Sequence, residues 1–107
     1  MTIKSMNLIK EVPIQSRPRE RLEQYGEKAL ANHELLAILL RTGTKGTNVV
    51  TLALSMLNQF EDLYYLKTAS CQELMTVAGI GRIKAIELKA AIELAIQISN
   101  QRLLQSI

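Results

Sequence analysis

The sequence is poor in the residue types that build disulfide bonds, metal centres and nucleophilic active sites. Its 107 residues include one cysteine, one histidine, two prolines and no tryptophan. The single cysteine, Cys71, excludes an intramolecular disulfide and any metal site made of several cysteines. His33 has no partner at the spacing of metal ligands, so we expect neither a metal site nor a catalytic role for it. No Ser-His, Cys-His or paired-carboxylate arrangement occurs either, so we predict that this chain is not an enzyme by itself.

Long hydrophobic runs are missing as well. No segment of about eighteen consecutive apolar residues occurs, which a transmembrane helix would need, and no signal-peptide pattern is present. We therefore expect a cytoplasmic protein with no membrane partner. The 13 lysines and arginines exceed the 10 acidic residues, giving a net charge of +3. This mildly basic balance is compatible with a nucleic-acid partner but does not by itself indicate one.

What the sequence has in abundance is aliphatic side chains. Hydrophobic residues make up 48% of the chain, and only 4% of the residues are aromatic, a composition typical of helical bundles. We predict an all-α fold, a small bundle of about five helices. Residues 1–16 are predicted to form an extended arm, and the helical domain is predicted to follow from residue 17.

Apolar spacing and capping residues predict where the helices lie. We place them at 19–25, 33–40, 49–58, 71–78 and 82–98, with a short connecting helix or turn at 60–66. Gly26 is expected to end the first helix, Asn32 to cap the second, and Thr47 or Asn48 to cap the third. The second helix is so apolar that we expect most of its surface to be covered.

The last two predicted helices carry the clearest patterns. Ser70 is expected to cap the shorter one, and Glu73 completes a capping box. The longer one carries two apolar stripes, which consist of Ile83, Ile86, Ala90, Leu94 and Ile98 and of Leu88, Ile92 and Ile96. Such width implies that another element covers its far side, either the first pair of helices or a part of the protein that this chain lacks.

The most informative segment is the turn between these helices, Val77-Ala78-Gly79-Ile80-Gly81-Arg82-Ile83-Lys84-Ala85. Gly79 is placed to end the first helix in the left-handed conformation, and Ile80 is expected to pack back between the helices. Gly81 lets another backbone approach the start of the second helix. The first amides of that helix have no intrahelical acceptor, and a phosphate oxygen satisfies such amides.

We interpret Gly79, Ile80 and Gly81, with the cations Arg82 and Lys84, as a candidate DNA-binding site that holds one backbone phosphate. The alternative is a tight turn in a protein-interaction domain that binds no ligand. A dinucleotide site is excluded by context, because no strand precedes the Gly-x-Gly pattern.

Two further groups are candidate phosphate contacts. Arg17 and Arg19 lie with Arg21 at the start of the first helix, and guanidinium groups suit phosphate oxygens, although charged residues at a helix start are often only solvated. Thr44 and Lys45 lie in the Gly-rich loop 41–48. This loop lacks the strand and the Gly-Lys-Ser/Thr sequence of a P-loop, and for it we favour a structural role.

Two other features leave alternatives open. Tyr64 and Tyr65 are either platforms on which bases stack or part of a small core, and we favour the core. Helix, glycine loop and helix follow one another both at 32–58 and at 70–98. The chain is therefore either a single hairpin domain or two diverged copies of one hairpin unit.

The sequence resembles the amino-terminal region of the RadC-like proteins of bacteria, from about residue 17 to residue 102. The resemblance is carried by Arg17-Pro18-Arg19-Glu20-Arg21-Leu22, Glu34-Leu35-Leu36-Ala37-Ile38-Leu39-Leu40-Arg41-Thr42-Gly43-Thr44, and Gly79-Ile80-Gly81 with Lys84-Ala85. Together with Leu74 and Val77, the glycines look like the helix-hairpin-helix motif of proteins that bind DNA without sequence specificity. One departure is Ala31, where the family tends to have a capping Ser or Thr.

The resemblance implies a helix-hairpin-helix domain at 17–102 joined to a carboxy-terminal JAB-type metal-dependent domain, in a family associated with DNA repair. Residues 103–107 are then expected to be the start of the linker to that carboxy-terminal domain, which this chain lacks. Its implied partners are the DNA backbone and that domain. The alternative function is a protein-interaction or dimerisation module that docks the metal-dependent domain. We expect no cofactor, apart from a monovalent cation that some helix-hairpin-helix proteins bind through hairpin carbonyls, here around Met75, Val77 and Ile80. The oligomeric state is left open.

Overall fold

The computed structural model describes residues 17–61 and 63–106, and the predicted arm at 1–16 lies outside them. The helices are α1 Pro18–Tyr25, α2 Asn32–Leu40, α3 Val49–Phe60, α4 Leu63–Thr68, α5 Cys71–Leu74 and α6 Arg82–Ser106, with a 3-10 turn at Glu27–Ala29. The described residues contain no strand, so the predicted all-α fold is confirmed. Internal contacts divide the chain into two units that meet between Leu54 and Ser55, within α3.

The first unit is built on α1, α2 and the start of α3. Its buried side chains are Leu30, Leu36, Ala37, Leu40, Leu52 and Ala53. α1 ends at Gly26, which has φ +91°, as predicted. The expectation that α2 is covered on most of its surface is confirmed, since only Asn32 and Leu39 of this helix are exposed. Leu39 is 49% exposed.

The start of α2 differs from the prediction by one residue. Ala31 occupies the N-cap position with extended backbone, and Asn32 is the first helical residue and not the cap. Alanine has no side-chain acceptor, so only half of a capping box forms: Glu34 Oε1 accepts a hydrogen bond from Ala31 N at 3.0 Å. Glu34 therefore stabilises this helix start alone.

Glu34 also ties α2 to α1. Arg21 Nε donates to Glu34 Oε2 at 2.8 Å, and the Arg21 and Glu34 side chains are 31% and 15% exposed. Two hydrogen bonds hold the pKa of Glu34 below its ordinary value of 4.5. The bond from Ala31 N has the larger effect on this pKa, and the bond from Arg21 has the smaller one. Because the folded carboxylate binds its proton more weakly than the unfolded one, it contributes stability above pH 4.5 that is lost as the pH falls through its folded pKa.

We expect Glu34→Gln to lower the free energy of unfolding by about 1 to 2 kcal/mol near neutral pH, since it removes a charged hydrogen-bond partner. The difference from the original protein should shrink as the pH falls below 4.5 and through the lowered pKa of the folded Glu34, where the carboxyl becomes neutral in both folded and unfolded chains. Urea unfolding at pH 7 and pH 3 measures this. Glu23→Gln, at an exposed position of α1, is the control and should change little at either pH. A pH-independent loss in Glu34→Gln would contradict the assignment.

The loop between α2 and α3 is closed by a small hydrogen-bonded turn. Thr44 and Thr47 exchange two backbone hydrogen bonds at 2.9 and 3.0 Å. Asn48 Oδ1 then accepts a bond from Thr51 N at 2.9 Å. Of the two candidate caps for α3, Asn48 is therefore the one used.

The second unit contains the end of α3 with α4, α5 and α6. Its buried side chains are Met56, Leu66, Ala69, Leu74, Val77, Ile80, Ala85 and Leu88. The longest helix continues to Ser106, beyond the end at residue 98 that the apolar pattern predicts. The missing stop signal explains the difference, since no glycine or proline follows residue 98.

The two apolar stripes of α6 have different surroundings. Ala85 and Leu88 are buried, whereas Ile83, Ile86, Leu94 and Ile98 are 43 to 62% exposed. The stripe of residues 83, 86, 90, 94 and 98, named here the outer stripe, is therefore not the core face of the helix. The expectation that another element covers it is not met within the described residues.

Candidate nucleic-acid interface

A capped short helix leads into the glycine turn. Ser70 Oγ accepts a hydrogen bond from Glu73 N at 3.1 Å, and Glu73 Oε1 accepts one from Ser70 N at 2.8 Å. These bonds confirm the predicted capping box. They are important because α5 has only four residues, and a helix of one turn has little stability of its own.

The turn itself is formed by a glycine and a buried isoleucine. Gly79 has φ +98°, a conformation that a residue with a Cβ adopts only at a cost. Ile80 is 4% exposed, which confirms the predicted apolar plug. Its N–H donates to Val77 O at 3.0 Å, so this amide is already bonded within the turn. Cation binding at the hairpin carbonyls stays a prediction.

Gly81 presents the start of α6 to solvent. Its carbonyl accepts a hydrogen bond from Ala85 N at 3.0 Å, so Gly81 is the N-cap residue. Gly81 is exposed, and a Cβ built on it would have no described heavy atom within 4 Å. The N–H groups of the first helical turn, at residues 82–84, have no acceptor inside the helix. These amides lie at the positive end of the helix dipole, beside an open approach.

Two cations accompany these amides. Arg82 is exposed and Lys84 is half-buried, and both lie on the first turn of α6. The next cation along the helix is Lys89, whose Nζ lies 3.4 Å from Lys67 O. We name residues 79–84 the hairpin site. The amides of a first helical turn, a helix dipole and positive side chains are together what a single phosphate group requires.

Gln59 and Thr76 support the hairpin site and were missed by sequence reasoning. Thr76 Oγ1 accepts a hydrogen bond from Gln59 Nε2 at 2.7 Å and donates one to Glu73 O at 2.6 Å. This chain of bonds links the end of α3 to the last residues before the glycines. No sequence signal predicts it, because the two partners are 17 residues apart and both are ordinary polar residues.

The candidate arginines of the first unit line a cavity of about 160 Å³, in which Arg17 and Arg19 are joined by Arg41. Arg21 is instead paired with Glu34. Sequence reasoning missed Arg41, because it lies 22 residues after Arg19 in the chain. The other two candidates of this unit, Thr44 and Lys45, are exposed on the loop and do not line the cavity.

Arg41 has a strained backbone. Its φ is +70° and its ψ is −52°, and Thr42 N donates to Leu40 O at 2.8 Å across it. These values define a γ-turn of the positive-φ kind, which is rare and strained. A non-glycine residue in such a conformation costs about 1 to 3 kcal/mol, and such residues are common at binding sites.

The two tyrosines of α4 do not close a core, so the favoured interpretation is wrong. Tyr64 is 60% and Tyr65 is 52% exposed. Their rings meet edge to face with centroids 5.5 Å apart, and Lys67 Nζ lies 4.8 Å from the Tyr64 ring centroid. α4 has only six residues, and it buries Leu66 while the rings stay outside. Base stacking on these rings stays a prediction.

The family model for the UPF0758 N-terminal domain matches residues 9–86. The chain belongs to the UPF0758 family. This match covers the hairpin site and the arginines of the cavity, and it confirms the resemblance to the amino-terminal region of RadC-like proteins. Among the described residues, no helix has the length and apolar character needed to span a membrane.

Curated UPF0758 proteins from several bacteria are similar over most of this chain. A UPF0758 protein of Enterococcus faecalis is 58% identical over 90 residues, which are 84% of this chain and 39% of that protein. UPF0758 protein YsxA of Bacillus subtilis is 51% identical over 90 residues, again 84% of this chain and 39% of that protein. The chain thus spans about two fifths of the length of the curated relatives that it matches. No solved structure matches it.

Proposed function

We propose that this UPF0758 domain binds the DNA backbone without reading the base sequence, and that the hairpin site is where it holds a phosphate. The observation that carries the proposal is the open approach at Gly81, which lies beside the first turn of α6, where backbone N–H groups point toward the solvent end of the helix. Phosphate contacts position a protein on DNA but carry no direct base information. We therefore expect similar affinity for duplexes of unrelated sequence.

The binding is expected to be weak. The hairpin site offers two cations in addition to its amides. We expect this site and its neighbours to contact two to four phosphate groups of the DNA. Non-specific binding of this kind has a Kd on the order of 10⁻⁴ to 10⁻⁶ M. The RadC-like resemblance implies a metal-dependent domain in the longer family members, and we propose that the present domain places DNA near it. This arrangement would account for the association of the family with DNA repair.

Lys84→Glu tests the proposal. It should weaken duplex binding about tenfold at low salt, because it puts a negative charge beside the proposed phosphate. The fold should persist, since an acidic residue in the first turn of a helix is favourable for the helix dipole. Fluorescence anisotropy with a labelled duplex measures the affinity, and circular dichroism measures the helix content.

Lys89→Glu is the matched control. It makes the same charge change five residues further along α6, which is about 140° around the helix from Lys84. Its effect on affinity should stay within about twofold, as expected for long-range electrostatics alone. Equal effects of the two variants, or an unchanged affinity in Lys84→Glu, would contradict binding at the hairpin site.

The outer stripe of α6 favours a second candidate function, a docking face for another protein domain or subunit. Exposed apolar surface along several helical turns is common at protein interfaces. This function predicts a concentration-dependent change of mass in sedimentation experiments and no effect of Lys84→Glu. Leu94→Lys, which places a charge in the middle of the outer stripe, should then abolish the association, whereas DNA binding at the hairpin site should tolerate it.

A further inference from the structure

The arginine-lined cavity of the first unit differs in character from the hairpin site. Arg17 and Arg19 come from the start of α1, and Arg41 follows the end of α2, so two separate segments contribute cations to one recess. Among the described residues, neither Arg17 nor Arg19 takes part in an ion pair, in contrast to Arg21. Their charges are therefore not neutralised by a described carboxylate.

The charge of the cavity selects for a dianion. Counted as formal charges, its lining carries three arginines and one carboxylate, that of Glu20, which is a net charge of +2. An internal DNA phosphate or a carboxylate carries a single negative charge, whereas a phosphate monoester carries about −1.5 to −2 near pH 7. Guanidinium groups match phosphate oxygens through pairs of parallel hydrogen bonds.

The size and lining of the cavity limit what is attached to the phosphate. Its apolar lining consists of Pro18, Ala37, Ile38, Val49 and Val50. Its volume of about 160 Å³ is below the range of roughly 300 to 1,000 Å³ that is typical of sites for drug-sized ligands and cofactors. The cavity therefore has room for one phosphate group and a small part of the molecule that carries it.

A recess of this size also discriminates by shape. An internal phosphate of DNA is flanked by sugars on both sides, and both would have to enter the recess with it. A terminal phosphate has only one ester bond and enters end-on. The open hairpin site has no such restriction, because it lies at an exposed helix start.

We propose that this cavity binds a phosphate monoester, either the terminal phosphate of a DNA strand or that of a free nucleotide. Arg17, Arg19 and Arg41 supply the charge, and Ile38 and Val50 contact the apolar part of the ligand. The proposal does not rest on phosphate binding at the hairpin site, since none of the lining residues belongs to it.

The test compares ligands that differ in one phosphate. We would measure binding of a short single-stranded oligonucleotide with a 5′-phosphate, of the same oligonucleotide with a 5′-hydroxyl, and of adenosine monophosphate. A tenfold preference for the phosphorylated strand identifies the DNA end as the ligand. Equal binding of both strands together with saturable binding of adenosine monophosphate identifies the free nucleotide. Absence of both effects overturns the proposal.

Variants assign the effect to the cavity. Arg19→Gln should reduce the preference for the phosphorylated strand, or the affinity for adenosine monophosphate, about tenfold. Lys28→Gln is the control and should change neither quantity, because Lys28 is an exposed cation of the same unit that does not line the cavity. Val50→Phe should block the recess while keeping every charge. If Val50→Phe fails to fold by circular dichroism, Val50→Leu, which adds one carbon atom at the same lining position, serves as a milder block. A preference that survives both Arg19→Gln and a folded blocking variant overturns the proposal.

Discussion

Replacing Gly81 by serine is expected to weaken DNA binding about tenfold while leaving the fold at least as stable. A Cβ at this position meets no described atom within 4 Å, and serine is a better N-cap residue than glycine by a few tenths of a kcal/mol. The same serine oxygen would accept a hydrogen bond from an amide of the first turn of α6. That amide is one of those proposed to hold the phosphate, and a charged hydrogen bond is worth about 1.5 to 3 kcal/mol.

Gly81→Ala is the matched variant for this experiment. It adds the Cβ without the oxygen, so it narrows the approach but does not occupy an amide. We expect an affinity between those of the original protein and Gly81→Ser, and an unfolding free energy lower by less than about 1 kcal/mol. Urea unfolding and anisotropy titration on the same samples separate the two effects. An unchanged DNA affinity in Gly81→Ser would show that the first-turn amides of α6 do not take part in binding.

Of all the substitutions proposed for this protein, replacing Gly43 by alanine is expected to lower the free energy of unfolding most. A Cβ at Gly43 would overlap Thr47 O and lie 2.7 Å from the carbonyl carbon and 2.9 Å from the Cα of Asn48. All three atoms belong to the backbone and cannot rotate away. The overlap would displace the turn between Thr44 and Thr47 and with it Asn48, which caps α3. Forced overlap of this kind costs about 2 to 3 kcal/mol.

Urea unfolding measures the cost in Gly43→Ala, and Gly81→Ala provides the comparison, because it adds the same methyl group where space is open. The difference between the two variants should be at least about 1 kcal/mol in unfolding free energy. Equal stability of the two variants would mean that the loop shifts without cost. The contact between residues 43 and 47 would then contribute little to the fold.

Sequence reasoning predicted the features that depend on a few neighbouring residues. The left-handed Gly79, the plug Ile80 and the capping box of Ser70 and Glu73 each follow from local chemistry. The end of α1 at Gly26 follows in the same way, because glycine alone adopts its conformation without strain. Gly79 and Ile80, with the capping box that precedes them, are also what forms the hairpin site.

Features that depend on distant residues were beyond such reasoning. The bond from Gln59 to Thr76 and the joining of Arg41 with Arg17 and Arg19 need the fold to bring the partners together. The sequence did not show which side of α6 is buried. Both of its stripes are apolar and have helical spacing, so periodicity could not show that the buried side carries Ala85 and Leu88.

The salt dependence of duplex binding tests the central claim most directly. If the hairpin site and its neighbours neutralise two to four phosphates, a plot of the logarithm of the binding constant against the logarithm of the salt concentration should be linear with a slope of about −2 to −4. Unrelated duplex sequences should give the same line. A slope near zero, or no binding at low salt, would contradict the account.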